Sequence, residues 1–449
     1  MTDSASSSTS GGEKAQAQST EVGSYFISNY PPYSFWKDEN LSAVDEVLDR
    51  EPDSAIPLGL YLHIPFCRKR CKFCYFRVYI DKTSNEVEVY VDALSREMAL
   101  YRDRALFNNR PLRFVYFGGG TPSFLGSRQL QSLVKRLQTS VSWDAAEEVT
   151  FECEPGTLSQ SKVGAIKDIG VTRISLGVEN FDDEILEENG RAHLSKEIHR
   201  AYDWIRDAEF PQVNIDLIAG MVGETEENWQ RCVEKTIEFD PDSVTIYQME
   251  LPYNTIYSKD ILGGGASSPV ADWQTKRRWV AQAFERFEQA GYAVSSAYTL
   301  VKPRGGQAAS FSYRDSLWRG ADMLGTGVAS FSHIGGVHFQ NIDGFQPYVE
   351  ACREGRLPLN RAYPTAAAER LIRELILQMK LGKIDAAYFR DKFGREILED
   401  FAETFASLKD QGVLDWAGDE IQLSREGLLR VDSLLPGFFL PHHQGARYT

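Results

Sequence analysis

The chain has 449 residues and a net charge of −15, with 42% hydrophobic and 12% aromatic residues. This composition is typical of a globular protein with one large core and room for a smaller second unit. The acidic charge argues against nucleic acid as a partner, because phosphate binding needs clustered Lys and Arg. No apolar run reaches the roughly 18 residues that cross a bilayer, so no membrane span is expected.

The first residues are polar and small. Residues 1–24 lack the apolar segment of a signal peptide and are predicted to form a disordered tail. Residues 25–55, which contain SNYPPYSFW, are predicted to form an N-terminal arm packed on the main domain. A cytoplasmic location is therefore expected, where thiols stay reduced. Clustered cysteines in that compartment indicate a metal site or catalysis before disulfides.

Between residues 56 and 252, short apolar runs alternate with amphipathic helical patterns. Strands that alternate with helices predict parallel pairing through right-handed crossovers. Six such units predict an α/β fold with an incomplete (β/α)6 barrel, and a doubly wound sheet is the alternative. The predicted strands are 60–64, 113–117, 148–151, 173–176, 213–218 and 244–249, and the predicted helices are 86–106, 128–140, 160–169, 195–207 and 225–239.

The regular alternation of predicted strands and helices ends after residue 252. Residues 253–345 are predicted to extend the barrel, with a helix at 273–291, a strand at 292–298 and a glycine-rich strand or loop at 320–332. Residues 346–449 are predicted to form a C-terminal helical cap that resembles a winged helix. In either barrel or sheet, the chemistry is expected beyond the carboxyl ends of the parallel strands.

Cys67, Cys71 and Cys74 follow the first predicted strand on one loop, so half of the six cysteines can face one centre. A structural zinc site needs four ligands. His63 could supply the fourth, although it lies inside the strand and Pro65 stiffens the link to the cysteines. A 4Fe–4S cluster is normally held by four thiolates, so three would leave one iron open to a small chelating molecule. The cluster is the favoured interpretation.

The stretch YLHIPFCRKRCKFC, with its CxxxCxxC spacing, resembles the radical S-adenosylmethionine (SAM) superfamily. Together with FGGGTP, ECEP and NIDLIAG, it resembles the oxygen-independent coproporphyrinogen III dehydrogenase and heme chaperone (HemN/HemW-like) family, from about residue 61 into the cap. The resemblance implies a 4Fe–4S cluster whose open iron is chelated by SAM, or by one of two SAM molecules. Reductive cleavage of SAM would give a 5′-deoxyadenosyl radical that abstracts hydrogen from the substrate.

The resemblance also implies the residues that hold these groups. Arg191 is expected to pair with the SAM carboxylate, since a planar guanidinium suits that partner. Asp216, which lies in an apolar strand and needs polar partners there, is expected at the ribose. By this resemblance the cofactor-binding residues are Tyr61, Phe73, Gly119, Gly120, Thr121, Glu152, Glu179, Arg191, Asp216 and Ile218, and the metal ligands are Cys67, Cys71 and Cys74.

Two further suggestions concern the substrate. Gly325 and Gly327 permit close backbone approach to a second SAM or to the substrate, or simply tight packing. Aromatic side chains of the arm could stack on a flat macrocycle, or could pack within the protein. They are Tyr30, Tyr33, Phe35 and Trp36.

The expected function is a radical SAM oxidoreductase of porphyrin biosynthesis, acting on a porphyrinogen-type tetrapyrrole and reduced by an electron donor such as flavodoxin or ferredoxin. The alternatives are a heme chaperone and a radical methyltransferase or cyclopropanase that uses two SAM molecules. After the third cysteine the chain reads CYFRVY, neither the CGC of the dehydrogenases nor the CDF of the chaperones, so the substrate stays open. No side chain is assigned a catalytic role.

Overall fold

The computed structural model describes residues 20–23, 25–108, 110–264, 270–305 and 310–446. Most of the predicted tail, 1–24, therefore lies outside the described residues. Within these ranges no helix combines the length and the apolar character needed to cross a membrane.

Six parallel strands form the centre of the main sheet and follow one another in chain order. They are β1 (Leu58–Ile64), β2 (Leu112–Gly119), β3 (Glu148–Cys153), β4 (Arg173–Glu179), β5 (Gln212–Ala219) and β6 (Ser243–Gln248). The helices that precede and connect them are α1 (Ser42–Asp49), α2 (Ser84–Arg102), α3 (Ser127–Leu137), α4 (Gln160–Asp168), α5 (Asp183–Glu188), α6 (Ser195–Asp207) and α7 (Glu226–Phe239). The predicted alternation of strands and helices is confirmed.

The apolar strands are buried because helices cover the sheet. Leu60 and Leu62 in β1 are completely buried, as expected for a parallel sheet without a solvent face. The first connecting helix, α2, begins with a reciprocal cap: Glu86 N–H donates to Thr83 Oγ1 at 3.3 Å, and Thr83 N–H donates to Glu86 Oε2 at 2.9 Å. Since all six strands run the same way, the loops at their carboxyl ends share one edge of the sheet.

The sheet continues beyond the six central strands on both sides. Next to β1 lie β9 (Asp322–Thr326), β10 (Phe331–Ile334), β11 (Val337–Asn341) and β12 (Leu359–Pro364), and next to β6 lie β8 (Thr299–Val301) and β7 (Ala293–Val294). The pairing of β9 with β1 is parallel, whereas β10, β11, β12, β8 and β7 pair antiparallel. Among the described residues the two edge strands do not pair, so the barrel is incomplete, as predicted. The consecutive order of β1–β6 excludes the doubly wound alternative, in which the order reverses.

The remaining helices lie after the six central strands. They are α8 (Ile256–Leu262), α9 (Trp273–Gln289), α10 (Ser312–Trp318), α11 (Phe345–Arg353), α12 (Ala367–Met379), α13 (Ala386–Phe393), α14 (Ile397–Asp400), α15 (Ala402–Asp410), α16 (Arg425–Leu429) and α17 (Val431–Leu434). A small antiparallel sheet has the order β13 (Lys383–Asp385), β15 (Glu420–Leu423), β14 (Leu414–Ala417). The helical character of the C-terminal region is confirmed. Of the strand expected at 292–298, only Ala293–Val294 (β7) is extended in the sheet, and it pairs with β8, which follows at Thr299–Val301.

Candidate functional site

The loops at the carboxyl ends of the central strands surround a cavity of about 1330 Å³. Every residue predicted to bind the cofactor or the metal lines this cavity. They are Tyr61, Cys67, Cys71, Phe73, Cys74, Gly119, Gly120, Thr121, Glu152, Glu179, Arg191, Asp216 and Ile218. The structure thus brings together residues that are more than 150 positions apart in the sequence.

The cysteine loop is held by its own backbone. Cys67 N–H donates to the carbonyl of Tyr79 at 3.1 Å, and Tyr79 N–H donates to the carbonyl of Pro65 at 2.8 Å. Cys74 N–H donates to the carbonyl of Cys71 at 3.1 Å. These bonds fix the loop directly after β1, so all three thiols border the cavity.

Two polar side chains contact the sulfur atoms. Thr121 Oγ1 donates to Cys67 Sγ at 3.3 Å, and Arg191 Nη1 donates to Cys71 Sγ at 3.3 Å. Burial, together with the neighbouring thiols, raises the pKa of Cys67 to about 12 and that of Cys74 to about 11. Three thiolates at this place therefore need a positively charged centre. An iron–sulfur cluster bound by thiolates is such a centre.

The spacing of the sulfurs argues against a single zinc ion. With Zn–S bonds of about 2.3 Å, tetrahedral ligands lie about 3.8 Å from one another. Among the described residues, the only metal-type group whose ligand atoms all lie within 4.8 Å of one another is Glu369, His442 and His443, elsewhere in the chain. The three cysteine sulfurs, with or without His63, are spread more widely. The wider spread of these sulfurs favours a multi-iron cluster over a single zinc ion.

The glycine loop after β2 makes room beside the cysteines. Gly119 has φ +115°, and a Cβ at this position would lie 2.7 Å from the ring of His63. A Cβ on Gly120 would lie 3.1 Å from Cys67 Sγ and 2.9 Å from the carbonyl carbon of Pro65. Only glycine permits this approach of the two loops.

Two half-buried carboxyl groups face the cavity from β3 and β5. Glu152 accepts hydrogen bonds from Tyr116 Oη at 2.7 Å and from Gly119 N–H at 3.2 Å. Asp216 accepts from Ser175 Oγ at 2.8 Å and from Asn214 Nδ2 at 2.9 Å. Burial raises the pKa of Glu152 to about 7 and also raises the pKa of Asp216. A cationic ligand would favour the ionised form of both groups.

Glu179 and Arg191 form a pair at the end of β4. Arg191 Nη2 lies 3.5 Å from Glu179 Oε1 and donates to the carbonyl of Gly177 at 2.8 Å. Burial raises the pKa of Glu179 to about 7, although Arg191 opposes the shift. Glu179 also has φ +65°, a left-handed conformation that is uncommon for a residue other than glycine. Such backbone strain is concentrated at functional sites.

The two residues expected near adenine share an apolar cluster. Phe73 from the cysteine loop packs against a group that contains Ile218, Met221 and Met249. Tyr61 lies apart from this cluster, with its ring stacked on Tyr116 at 5.8 Å. One side of the cavity is therefore apolar, as an adenine ring requires.

The glycine-rich stretch does not reach the cavity at its glycines. A Cβ on Gly325 would lie 2.1 Å from the carbonyl oxygen of Phe331, and one on Gly327 would lie 2.5 Å from Tyr90 Oη. Neither glycine lines the cavity. These contacts favour the tight-packing alternative over close approach to a ligand.

Most of the four aromatic residues of the arm that could stack on a macrocycle also pack within the protein. Only Tyr33 lines the cavity. Tyr30 and Trp36 are buried in packing, and the Trp36 ring stacks on His338 with 5.1 Å between centroids. Phe35 packs on His443 instead. Stacking on a macrocycle is therefore excluded for three of the four residues in this conformation.

Sequence reasoning missed Arg173, which begins β4. Its side chain lines the cavity and is only 2% exposed, yet Nε and Nη1 have no hydrogen-bond partner among the described residues. The guanidinium lies 4.1 Å from the ring centroid of Phe311. The sequence feature that could have identified Arg173 is the occurrence of an arginine within the apolar run TRISLG.

Other missed cations come from elements far along the chain. Arg314, Arg361, Arg373 and Lys380 also line the cavity. Unlike Arg173, each of these has partners: Arg373 Nε, for example, donates to Asn29 Oδ1 at 2.7 Å. The cavity therefore joins a cysteine-bearing region to several side chains suited to anions.

His333 is the last missed residue, one position beyond the glycine-rich stretch. His338 Nε2–H donates to the carbonyl of Tyr30 at 3.0 Å, which leaves His338 Nδ1 as an acceptor. His333 Nδ1 lies 3.0 Å from that atom and therefore carries the proton. Burial lowers the pKa of His333 well below its ordinary value, so the ring is neutral. His333 lines the cavity, and its Nε2 retains a free lone pair.

Comparison with known proteins agrees with this geometry. Residues 61–236 match the family model of the radical SAM superfamily. The chain therefore carries a radical SAM domain, which implies a 4Fe–4S cluster and SAM.

Similar proteins along most of the chain have two kinds of name. The heme chaperone HemW of Bacillus subtilis (strain 168) is 24% identical, over 84% of this chain and 98% of its own length. Oxygen-independent coproporphyrinogen III oxidases are 26% identical in Pseudomonas aeruginosa, over 88% of both chains, and 25% identical in Escherichia coli (strain K12), over 93% of both. The chain thus has homologues in both branches of the HemN/HemW family.

The fold also matches a solved structure. Coproporphyrinogen III oxidase (HemN) from Escherichia coli superposes with a TM-score of 0.80 at 22% identity, over 92% of this chain and 96% of that chain. At this identity the match establishes the shared α/β fold.

Proposed function

We propose that the protein is a cytoplasmic radical SAM oxidoreductase that abstracts hydrogen from a tetrapyrrole of the porphyrinogen type. One observation carries the proposal: the cysteine loop and the unpartnered Arg173 border the same cavity of about 1330 Å³. The names of the coproporphyrinogen III oxidase relatives support the substrate class.

Cys67, Cys71 and Cys74 would hold the 4Fe–4S cluster, with one iron left for SAM. With SAM bound and the cluster reduced, for instance by flavodoxin or ferredoxin, the cluster and SAM together would supply a 5′-deoxyadenosyl radical for hydrogen abstraction. Arg191 and Thr121 would stabilise the charge on the sulfur atoms through the contacts at Cys71 and Cys67, and Arg191 would also pair with the SAM carboxylate.

The remaining side chains would orient SAM. The glycine loop would approach the methionine end closely because it has no Cβ atoms there, and Glu152 would attract the positive charge. Asp216 and Glu179 would accept hydrogen bonds from the ribose. Phe73 and Ile218 would cover the adenine and exclude water from it.

The substrate would occupy the rest of the cavity. Carboxylates of an anionic macrocycle would pair with buried guanidinium groups. Arg173 is the candidate for this pairing, because its Nε and Nη1 have no hydrogen-bond partner among the described residues. We assign the SAM-binding core to residues 56–252, the barrel extension to 253–345 and the cap to 346–449. On this division Phe311 belongs to the extension and Arg373 to the cap, so all three regions contribute to the substrate pocket.

The experiment uses anaerobically reconstituted protein with SAM, a reductant and coproporphyrinogen III. Decarboxylated porphyrinogen together with 5′-deoxyadenosine is expected. Arg173→Leu should raise the KM for the porphyrinogen at least tenfold while substrate-free SAM cleavage continues, and Arg200→Leu, at an exposed position, should match the wild type. SAM cleavage without conversion of any porphyrinogen would reject the substrate. S-adenosylhomocysteine as a co-product would instead favour a methyltransferase or cyclopropanase.

Heme binding is the second candidate function, and His333 is the observation that favours it. A neutral imidazole nitrogen with a free lone pair is a common axial ligand of heme iron. We expect ferric heme to give a shifted Soret band that His333→Ala abolishes and His199→Ala, at an exposed histidine, retains. Identical spectra for the two variants would reject this role.

A further inference from the structure

Two histidines near the C-terminus meet the first turn of α12. His442 and His443 belong to a short turn, Pro441–His443, and Glu369 is the acidic residue in the first turn of α12. One ligand atom from each of the three side chains lies within 4.8 Å of the other two. This cluster is separate from the cavity, since none of its members lines it.

His443 is buried with an unpartnered nitrogen aimed into the cluster. The residue is 0% exposed, and its Nδ1 lies 2.7 Å from Tyr30 Oη. The other nitrogen, Nε2, has no hydrogen-bond partner among the described residues and lies 3.6 Å from Glu369 Oε1. A buried polar atom without a partner costs free energy, and such atoms are rare in folded proteins.

The carboxylate of Glu369 is held in place beside the two histidines. Tyr363 Oη donates to its Oε1 at 2.6 Å, and Ala366 N–H donates to its Oε2 at 2.7 Å. An ionised carboxylate has about four lone-pair positions, so acceptor capacity remains on both oxygens. Tyr363 on the carboxylate and Tyr30 on the imidazole have the positions of outer-shell partners that orient metal ligands.

We propose that Glu369, His442 and His443 form a binding site for Zn²⁺. Two imidazoles and one carboxylate are ligands that zinc accepts, with water in the fourth position. The exposed side of His442 leaves room for that water. Tetrahedral zinc with such ligands needs donor atoms about 3.4 Å apart, so the cluster would close by at most about 1.4 Å on binding. His442, which is exposed, is the side chain with the freedom to move.

Zinc at this site would tie together two segments, the C-terminal turn and α12, next to a third, residues 30–35. The ring of Phe35 lies 4.6 Å from that of His443 and 6.3 Å from that of His442, and the ring of Tyr30 lies 5.2 Å from that of His443. The ion would therefore join the C-terminal turn to α12 beside residues 30–35. Tyr33 from this segment lines the cavity, so the zinc would also stabilise one of its walls.

The test uses tag-free holoprotein with its cluster reconstituted, so that neither free cysteines nor a polyhistidine tag competes for the metal. Zn²⁺ is titrated against a chromophoric chelator, and the thermal midpoint is measured with and without the ion. We expect one zinc per chain and a raised midpoint. His442→Ala and Glu369→Gln should each weaken binding at least tenfold and abolish the rise, whereas His199→Ala should change neither.

His442→Ala is the decisive variant, because the side chain of His442 is exposed and its loss leaves no cavity in the core. If His442→Ala and Glu369→Gln bind zinc as tightly as the wild type, the site is wrong. The site is equally rejected if the wild-type holoprotein takes up no zinc at micromolar concentration. Neither result bears on the proposed radical chemistry, which is read from SAM cleavage.

Discussion

The guanidinium of Arg191 contacts the sulfur of Cys71, with 3.3 Å between Nη1 and Sγ. The other end of the same fork donates to the carbonyl of Gly177 at 2.8 Å and lies 3.5 Å from Glu179. One side chain therefore connects the cysteine loop after β1 with the end of β4. This geometry depends on a planar group that donates in two directions at once.

Arg191→Lys should separate charge from geometry. Lysine keeps the positive charge but has no fork, so we expect most of the iron to be retained while SAM affinity falls at least tenfold, or about 1.4 kcal/mol. Iron content and equilibrium SAM binding measure the two effects. Arg200→Lys is the control, because that side chain is 53% exposed. Unchanged SAM binding in Arg191→Lys would show that the fork is dispensable.

Gly120→Ala should disturb the cluster through sterics alone. The added methyl would lie 3.1 Å from Cys67 Sγ and 2.9 Å from the backbone of Pro65, so the cysteine loop must move. We expect at least half of the iron to be lost after reconstitution. Gly164→Ala in α4 is the matched control, since a Cβ there meets no atom within 4 Å. Equal iron content in the two variants would contradict the close approach of the loops.

Two carboxyl groups with raised pKa values predict how stability depends on pH. Burial raises the pKa of Glu152 and Glu97 to about 7 from the ordinary value of 4.5. The folded protein therefore binds more protons than the unfolded chain between these values, so the free energy of unfolding falls as pH rises from 4.5 to 7. Each group contributes up to about 3 kcal/mol to this fall. Urea unfolding of ligand-free protein across this range should show it, and either Glu→Gln change should flatten the curve.

The same two variants should differ in SAM binding. Glu97 lies outside the cavity, where it accepts hydrogen bonds from Gly327 N–H at 2.8 Å and Tyr348 Oη at 2.6 Å. Glu152→Gln should therefore weaken SAM binding, and Glu97→Gln should leave it unchanged, as measured by calorimetry. Equal effects of the two substitutions would argue against a charge-specific role for Glu152.

Lys380→Met should destabilise the contact between the arm and the cap. Lys380 is 0% exposed and donates to Asp432 Oδ1 at 2.8 Å and to the carbonyl of Ile27 at 2.6 Å. Its removal leaves a largely buried carboxylate without its cation, a change that costs about 3–5 kcal/mol. Thermal unfolding measures the loss. Lys37→Met, at a pair in which both side chains are more than 60% exposed, should cost less than about 1 kcal/mol, and equal costs would refute the buried pair.

The barrel core could be predicted from the sequence because its strands and helices are visible as local patterns of apolar residues. The strands β1–β6 are rich in buried apolar residues, since both faces of a parallel sheet are covered. The cofactor residues were also predictable, because they follow these strands in short motifs. Their gathering around one cavity then follows from the parallel direction of the strands.

The residues that sequence reasoning missed reach the cavity through long-range packing. Arg373 belongs to an amphipathic helix in which an arginine normally faces solvent, yet the fold leaves it only 5% exposed. His333 has a defined tautomer only because β11 places His338 beside it, and because Tyr30 of the arm accepts from that second ring. Such contacts between distant segments have no pattern in the local sequence.

The central claim is a cluster held by Cys67, Cys71 and Cys74 with SAM at its open iron. The most direct measurement is electron paramagnetic resonance of the reduced, anaerobically reconstituted protein with and without SAM, together with its iron content. The account predicts about four iron atoms per chain, a cluster signal that SAM alters, and the loss of both in Cys67→Ala. Protein that holds zinc in place of iron, or a signal unaffected by SAM or by Cys67→Ala, would contradict it.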